Sequence, residues 1–104
     1  MTSTTESTIY KLIFSVPVSH FAAVKAAVHT SGAGNFPGYT GVSFQTQGMS
    51  VFLPSGATEP NEMAETKVEV FCSGRVQAVA AVGAMKKSHP YKAVSYAVFK
   101  AENI

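Results

Sequence analysis

The chain has 104 residues, of which 46% are hydrophobic and only 13% are charged, with 8 Lys and Arg against 6 Asp and Glu. This length suits one domain, and a single cysteine, Cys72, excludes an intramolecular disulfide and a Cys-x-x-Cys metal site. A net charge of +2 is too small for a nucleic-acid-binding surface, and no apolar run is long enough to span a membrane. We therefore expect neither nucleic acid nor a membrane among the partners. The N-terminus lacks a signal-peptide pattern, which predicts a cytoplasmic protein.

The first third of the chain predicts a polar tail, a strand and a helix. Residues 1–8 are nearly all Ser and Thr, which indicates a disordered tail before a single domain over residues 9–104. Residues 9–16 are rich in β-branched and aromatic side chains and are followed by proline, which favours a buried strand. A helix follows, with Ser19 as its predicted cap. The predicted buried face of this helix consists of Phe21, Val24 and Val28. The helix is predicted to end at Gly32-Ala-Gly34.

The middle of the chain predicts three strand segments. Residues 39–54 are predicted to form two strands folded at Gly48, because polar and apolar residues alternate before the glycine and apolar residues return after it. Residues 55–62 are turn formers and predict a loop. Residues 66–72 predict a further strand. Its two faces are Val68, Val70 and Cys72 on one side, and Lys67, Glu69 and Phe71 on the other.

The C-terminal part predicts a second helix and a last strand. The helix is expected over residues 75–87, and Ser88-His-Pro90 ends it because the residue before proline avoids the helical region. The last strand is expected over residues 92–99 by its alternation. The apolar stripe predicted for this helix consists of Val76, Val79, Ala80 and Gly83.

This order of elements favours an α+β fold of the ferredoxin-like sandwich class, an antiparallel sheet with two helices on one face. That fold has two strands between its helices, whereas three segments are predicted here, so residues 49–54 should form an edge strand or an excursion. Two helices cover only one face of the sheet. The other face carries apolar and aromatic residues as well as polar ones, which predicts a homo-oligomer in which a partner subunit covers it.

Two sets of residues resemble a small domain of Nif-three-related proteins, which in most members is inserted within a larger metal-binding fold. The spacing matches over residues 9–99. The first set is Tyr10-Lys-Leu-Ile-Phe14, Val16-Pro17, His20, Gly32-Ala-Gly34, Tyr39, Ser43-Phe-Gln-Thr46, Gly48, Phe52, Pro54 and Gly56-Ala57. The second set is His89-Pro-Tyr91 and Tyr96. The resemblance implies a fold like that of the PII and CutA proteins, which are usually trimeric.

The chain also departs from the pattern of that family. Lys92 stands where the family has an acidic residue, Ala93 replaces a proline, and Ala97 replaces a second acidic residue. The loop after Gly56-Ala57 is shorter. The flanking segments that hold the family's paired metal ions are absent, so the chain is expected to be a stand-alone form of the domain. The hydrolase activity implied for full-length members is therefore not carried over.

Three histidines raise the question of a metal site. His20 and His29 are nine residues apart on one predicted helix and point to opposite faces, so they cannot bind one ion together. His20 and His89 are expected at the same end of the sheet, where they could bind Zn²⁺ or Cu²⁺ together with a carboxylate. No acidic residue in the sequence obviously joins them. The expected cofactor is therefore none, with a divalent metal as the alternative.

The remaining candidates concern nucleophiles and ligand contacts. Cys72 lies at the end of an apolar strand, where a free cysteine behaves as a small hydrophobe. Ser43, Gln45 and Gln47 form a polar stripe that faces solvent, a subunit interface or a ligand cleft. The residues predicted for a ligand site or an interface are Tyr39, Ser43, Gln45, Thr46, His89, Tyr91 and Tyr96.

No complete catalytic constellation is present, so the leading hypothesis is a non-enzymatic PII/CutA-like oligomer, with a trimer favoured. Its expected role is regulatory or small-ligand-sensing. The alternative is a small divalent-metal-binding protein of the metal-tolerance type that uses His20 and His89. A third possibility is an enzyme whose site is assembled between subunits.

Overall fold

A computed structural model of the chain describes residues 8–102 and 104. The described residues form one four-stranded sheet and two α-helices. A short 3₁₀ turn, Val18–His20, joins the first strand to the first helix. The elements in chain order are β1 (Ile9–Pro17), α1 (Phe21–Thr30), β2 (Phe44–Phe52), β3 (Asn61–Ser73), α2 (Arg75–Ser88) and β4 (Tyr96–Ala101).

The sheet has the strand order β2-β3-β1-β4, and all neighbouring strands are antiparallel. Leu12 in β1 lies opposite Val70 in β3 and opposite Val98 in β4. Ile9, the first residue of β1, pairs with Ala101, the last residue of β4. The described chain therefore enters and leaves the sheet at the same end, on adjacent strands.

Both helices cover one face of the sheet, where they enclose the core. In β1 and β3, alternate residues point to this face. In β3 these residues include the predicted set Val68, Val70 and Cys72. The buried core consists of Leu12, Phe14, Val16, Val24, Val28, Ala33, Val68, Val70, Cys72, Ala78, Ala81 and Met85. The predicted α+β, ferredoxin-like sandwich with two helices on one face is confirmed. Neither described helix is long and apolar enough to cross a membrane.

The chain does not fold back at Gly48. It runs through this glycine in extended conformation as one strand, and Gly48 pairs with Glu65 in β3. The turn lies further on, where Gly56 has a positive φ of 83° and the Ala57 amide donates to the carbonyl of Pro54. The prediction of three segments between the helices was therefore wrong. The described residues contain two strands there, as the fold requires.

The predicted buried stripe of α2 was also wrong. Val76 is 84% exposed and Val79 is exposed as well, whereas the residues of α2 that enter the core are Ala78, Ala81 and Met85. Small side chains face α1 and the sheet because the two helices approach each other closely there. In α1, by contrast, the predicted core residues Val24 and Val28 are buried.

Four predicted boundaries also differ from the structure. The strand predicted from residue 39 begins only at Phe44. Ser19 lies in the 3₁₀ turn, and its hydroxyl contacts the neighbouring His20 ring instead of capping α1. β3 begins at Asn61, inside the predicted loop, and β4 begins only at Tyr96. Residues 1–7 of the predicted tail lie outside the described residues. Thr8 accepts a hydrogen bond from the Gly74 amide at 2.9 Å.

The β2–β3 hairpin extends beyond the part of the sheet that the helices cover. Residues 49–64, called the arm below, are exposed except for the half-buried Ser50 and Pro54. The arm carries an unusual amount of exposed apolar surface: Met49, Val51, Phe52, Leu53 and Met63. It gives the molecule an elongated shape, with principal extents of 60 × 25 × 22 Å. A two-stranded hairpin is marginally stable in water without a covering layer.

Candidate functional site

The sheet face opposite the helices, called the open face below, holds the candidate site. The strand register places both polar and aromatic side chains on this face. They are Lys11, Ile13, Ser15, Phe44, Thr46, Ser50, Glu65, Lys67, Glu69, Phe71, Ala97 and Phe99. Lys11 and Glu69 form an ion pair at 2.5 Å, which lowers the pKa of Glu69 chiefly through this hydrogen bond. Phe36 packs edge-on against Phe71 at a centroid distance of 6.3 Å. One end of the open face is thus aromatic, and the other end is polar.

Glu65 is the central group at the polar end. It is only 7% exposed, although it belongs to the face without helices. The Ser50 hydroxyl donates to its Oε1 at 2.5 Å, and the Tyr91 hydroxyl donates to its Oε2 at 3.0 Å. Burial of a carboxylate costs free energy unless hydrogen bonds replace its water. These two hydroxyl groups supply that replacement.

An open pocket of about 410 Å³ adjoins the Glu65 carboxylate. Its lining residues come from β1, β2 and β3 and from the segment between α2 and β4. They are Ser15, Ser50, Phe52, Met63, Glu65, Tyr91, Ala93 and Ser95. The pocket therefore combines one carboxylate, several hydroxyl groups and apolar walls, which is the usual composition of a small-molecule site.

His89 holds the segment that delivers Tyr91. Its Nδ1 lies 3.1 Å from the Tyr91 amide nitrogen, and its Nε2 lies 2.7 Å from the Ser15 carbonyl oxygen. Because an amide N–H can only donate and a carbonyl can only accept, Nδ1 must be the acceptor and Nε2 must carry the proton. The ring is therefore neutral, and both of its nitrogens are hydrogen-bonded to the main chain. His89 positions Tyr91 against Glu65.

The Tyr91 hydroxyl remains a donor over a wide pH range. Burial raises its pKa above the usual value of 10.0, and the hydrogen bond to Glu65 and the negative charge of Glu65 raise it further. The native state therefore holds this proton more tightly than the unfolded chain does. The contribution of the Tyr91 hydroxyl to the stability of the fold is complete at any pH below the pKa that Tyr91 has in the unfolded chain. It is lost as the pH rises through the native pKa.

We expect Glu65→Gln to lower the pKa of Tyr91 without returning it fully to the usual value, since the effect of burial remains. Titration of the Tyr91 ring carbon by NMR measures this change. The matched control is Glu62→Gln on the exposed part of the same strand, which should leave Tyr91 unchanged. Equal Tyr91 titrations in the two variants would contradict the contact between Tyr91 and Glu65.

Of the predicted site residues, the structure brings His89 and Tyr91 together beside Glu65. His89 and Tyr91 stand side by side, with their rings 5.0 Å apart. Tyr39 is 70% exposed in the segment between α1 and β2, and Tyr96 lies at the start of β4 on the helix-covered side, with the Lys86 ammonium over its ring. Neither of these tyrosines lines the Glu65 pocket.

Gln45 and Gln47 of the predicted polar stripe lie on one side of β2, where the register places them opposite Val68 and Thr66 of β3. Gln45 donates to the Ser43 hydroxyl at 2.7 Å, and the register places Gln45 on the helix-covered side. Thr46 lies on the open face opposite Lys67 and lines a smaller pocket beside Glu65. A role for these residues in an interface or a ligand site stays a prediction.

Sequence reasoning missed Glu65 and Ser50. Glu65 has the same parity on β3 as Lys67 and Glu69, so its place on the open face could have been inferred from the alternation. Its contact with Tyr91 joins residues 26 positions apart and depends on the path of the segment before β4. No local pattern in the sequence indicates that contact.

The geometry around His20 and His89 does not favour the predicted metal site. The His20 Nδ1 contacts the Ser19 hydroxyl at 2.9 Å, and both His89 nitrogens contact the main chain. Within residues 8–102 and 104, no three His, Cys, Asp or Glu side chains are grouped so that they could bind a metal. A metal ion could bind His89 only after one of its main-chain hydrogen bonds broke.

We therefore expect no sub-micromolar binding of Zn²⁺ or Cu²⁺ by titration calorimetry. The parent protein, His20→Ala and His89→Ala should give the same weak heats. Stoichiometric binding that either substitution abolishes would contradict this prediction and would support the metal-tolerance alternative.

Cys72 is enclosed in the core, and burial raises the pKa of its thiol. Nucleophilic cysteines require the opposite shift, because the thiolate is the reactive form. The residue thus has the environment that the sequence predicts for a small buried hydrophobe.

Comparison with known proteins identifies relatives over most of the chain, although no protein-family model matches it. The GTP cyclohydrolase 1 type 2 homolog of Mycobacterium leprae is 34% identical in an alignment 97 positions long, which covers 86% of this chain and 25% of that protein. The protein of the same name from Halalkalibacterium halodurans is 32% identical in an alignment 109 positions long, gaps included, which covers 96% of this chain and 29% of that protein. The chain spans about a quarter of the length of the curated relatives that it matches.

Solved structures with the same fold include a NIF3-related protein, a CutA protein and a GlnK protein. A Bacillus cereus protein related to NIF3 superposes with a TM-score of 0.85 and 26% identity, over 98% of this chain and 28% of that one. CutA from Xylella fastidiosa has a TM-score of 0.70 and 14% identity, over 91% and 85% of the two chains. The Bacillus subtilis GlnK–ATP complex has a TM-score of 0.68 and 13% identity, over 95% and 85%. The chain is therefore a PII/CutA-like domain of the kind found in Nif-three-related proteins.

Proposed function

We propose that this domain is a homo-oligomeric module that senses a small ligand in the pocket at Glu65 and has a regulatory, non-catalytic role. The observation that carries the proposal is a buried carboxylate beside an open pocket, held by two hydroxyl donors and by a turn that His89 fixes. Such pre-positioned polar groups among apolar walls orient a bound molecule. GlnK of Bacillus subtilis, which shares this fold, was solved as a complex with ATP, and this supports a ligand role for the fold.

The exposed apolar surface supports the homo-oligomer. The arm carries apolar side chains on both of its faces, and the aromatic end of the open face includes the exposed Phe44 and Phe99. Apolar patches of this kind mark interaction surfaces in soluble proteins. The proposal of three subunits comes from the resemblance to PII and CutA proteins, because a dimer could bury these apolar surfaces as well.

Sedimentation velocity at micromolar concentration tests the assembly. We expect a species well above the monomer mass of 11.0 kDa. A monomer at that concentration would contradict the homo-oligomer, and a dimer would contradict only the number three.

Native mass spectrometry of gently purified protein tests ligand sensing. We expect an additional small-molecule mass on the parent oligomer that is lost in Tyr91→Phe, because this variant removes a hydroxyl that lines the pocket and donates to Glu65. A variant remote from the pocket, Thr58→Ala, should retain the additional mass. Protein that carries no small molecule in any preparation would contradict ligand sensing.

A further inference from the structure

The Glu65 carboxylate keeps unused capacity to accept hydrogen bonds. A carboxylate offers about four lone-pair positions. Ser50 occupies one at Oε1 and Tyr91 occupies one at Oε2. Because each oxygen has a single protein donor, each can accept one further hydrogen bond from a molecule in the adjoining pocket.

The negative charge of Glu65 is also uncompensated within the described part of the chain. Lys11 is paired with Glu69, and no described lysine, arginine or histidine lies within ion-pair distance of Glu65. Lys67 follows two residues later on the same face, but it is exposed to solvent. Neutral hydroxyl donors satisfy hydrogen bonding without cancelling the charge, so a buried anion remains that favours a cation.

The walls of the pocket define the rest of the occupant. Phe52, Met63 and Ala93 supply apolar contact area, and the volume of about 410 Å³ lies in the range of small-molecule sites. The Ser15 and Ser95 hydroxyls line the same pocket. A molecule that fits this surface has a charged donor group at one end and an apolar body at the other.

We infer that the pocket binds a small organic cation, with a primary ammonium or amidinium group on the Glu65 carboxylate and an apolar body against Phe52 and Met63. This inference rests on the proposed ligand-sensing function and names the ligand class of the same site. An ammonium or amidinium group donates to both carboxylate oxygens and cancels the buried charge. An anionic ligand would meet that charge unfavourably.

Titration calorimetry on the intact oligomer tests the inference with four matched probes: benzylammonium, benzamidinium, benzyl alcohol and benzoate. We expect saturable binding of benzylammonium and at least about tenfold weaker binding of the neutral alcohol, because a charge-assisted hydrogen bond is worth more than about 1.4 kcal/mol. Benzoate should not bind. Benzamidinium should bind as benzylammonium does.

Two variants locate the site. Glu65→Gln should weaken the binding of benzylammonium at least about tenfold. Glu62→Gln removes a charge from the exposed part of the same strand and should leave the affinity for benzylammonium unchanged. Circular dichroism and sedimentation show whether Glu65→Gln retains the fold and the assembly. If that variant does not fold, Tyr91→Phe replaces it, with a smaller loss expected.

Three results would overturn the inference. Benzylammonium could fail to saturate the parent protein, its affinity could be equal in Glu65→Gln and Glu62→Gln, or Glu65→Gln could dissociate a folded oligomer, which would assign the carboxylate to the subunit interface. If native mass spectrometry instead found an anionic molecule on the parent oligomer that Tyr91→Phe loses, ligand sensing would stand and the cation inference alone would fail.

Discussion

Replacement of Gly34 by alanine is expected to lower the free energy of unfolding by about 2–5 kcal/mol. Gly34 has a positive φ of 79°, which L side chains rarely adopt. An added Cβ would lie 2.5 Å from the Val42 carbonyl oxygen and 2.8 Å from Cε1 of His29. The backbone cannot move away freely, because the Gly34 amide donates to Phe71 and its carbonyl accepts from Val42. Urea unfolding monitored by circular dichroism measures the loss.

Gly38→Ala is the matched control for this prediction. Gly38 has a similar positive φ of 87°, but an added Cβ would meet no atom within 4 Å. We expect a loss of only about 1 kcal/mol, which reflects the backbone strain alone. Equal losses at the two positions would show that the close contacts at Gly34 do not destabilise the fold.

Val51→Asp in the arm is expected to weaken the assembly at least about 30-fold, because an unpaired charge in an apolar interface costs roughly 2–5 kcal/mol. Val51 is 61% exposed in the single chain and lies on a hairpin that has no covering layer of its own. If the partner subunit covers the arm, this side chain becomes buried on assembly. Sedimentation velocity over a concentration series measures the shift towards monomer.

Val76→Asp is the matched control for the arm. It makes the same chemical change at an exposed valine on α2, outside the arm. We expect it to retain the mass of the parent assembly. If Val76→Asp dissociated the protein and Val51→Asp did not, the interface would lie on the helix layer, and the arm would have no part in it.

The fold could be predicted largely because side-chain periods of 2 and 3.6 depend on local geometry. The alternation in β3 correctly separated Val68, Val70 and Cys72, which are buried, from the residues of the opposite face. The break at Gly48 was wrong because a glycine between two apolar runs looks the same in a turn and in a continuous strand. Only the pairing of Gly48 with Glu65 in the folded sheet distinguishes the two.

The buried face of α2 could not be predicted from hydrophobicity. Valine is more hydrophobic than alanine, so the stripe with Val76 and Val79 looked like the core face. The space between α1, α2 and the sheet instead accommodates Ala78 and Ala81, with Met85 at the end of the helix. Small residues fit at these positions because α1 and α2 lie close together. The distance between the two helices cannot be predicted from a single sequence.

Only part of the candidate site could be predicted, because the rest depends on contacts between residues that are far apart in the sequence. His89 and Tyr91 were selected through the resemblance to Nif-three-related proteins, because His89-Pro-Tyr91 matches a motif of that family. Glu65 and Ser50 join them only through strand register and the path of the segment that follows α2. Sequence separations of 15 and 26 residues carry no periodic signal.

The pairing of Ile9 with Ala101 has a consequence for how this domain can be joined to other proteins. Paired Cα atoms in antiparallel strands are about 4.5–5.5 Å apart. A surface loop of a second protein could therefore be cut and spliced to both points with little stretching of its own backbone. The entropic cost to the recipient would be small, because the spliced unit holds the cut ends as close together as the original loop did. Longer chains can thus carry this domain without disturbing the framework around it.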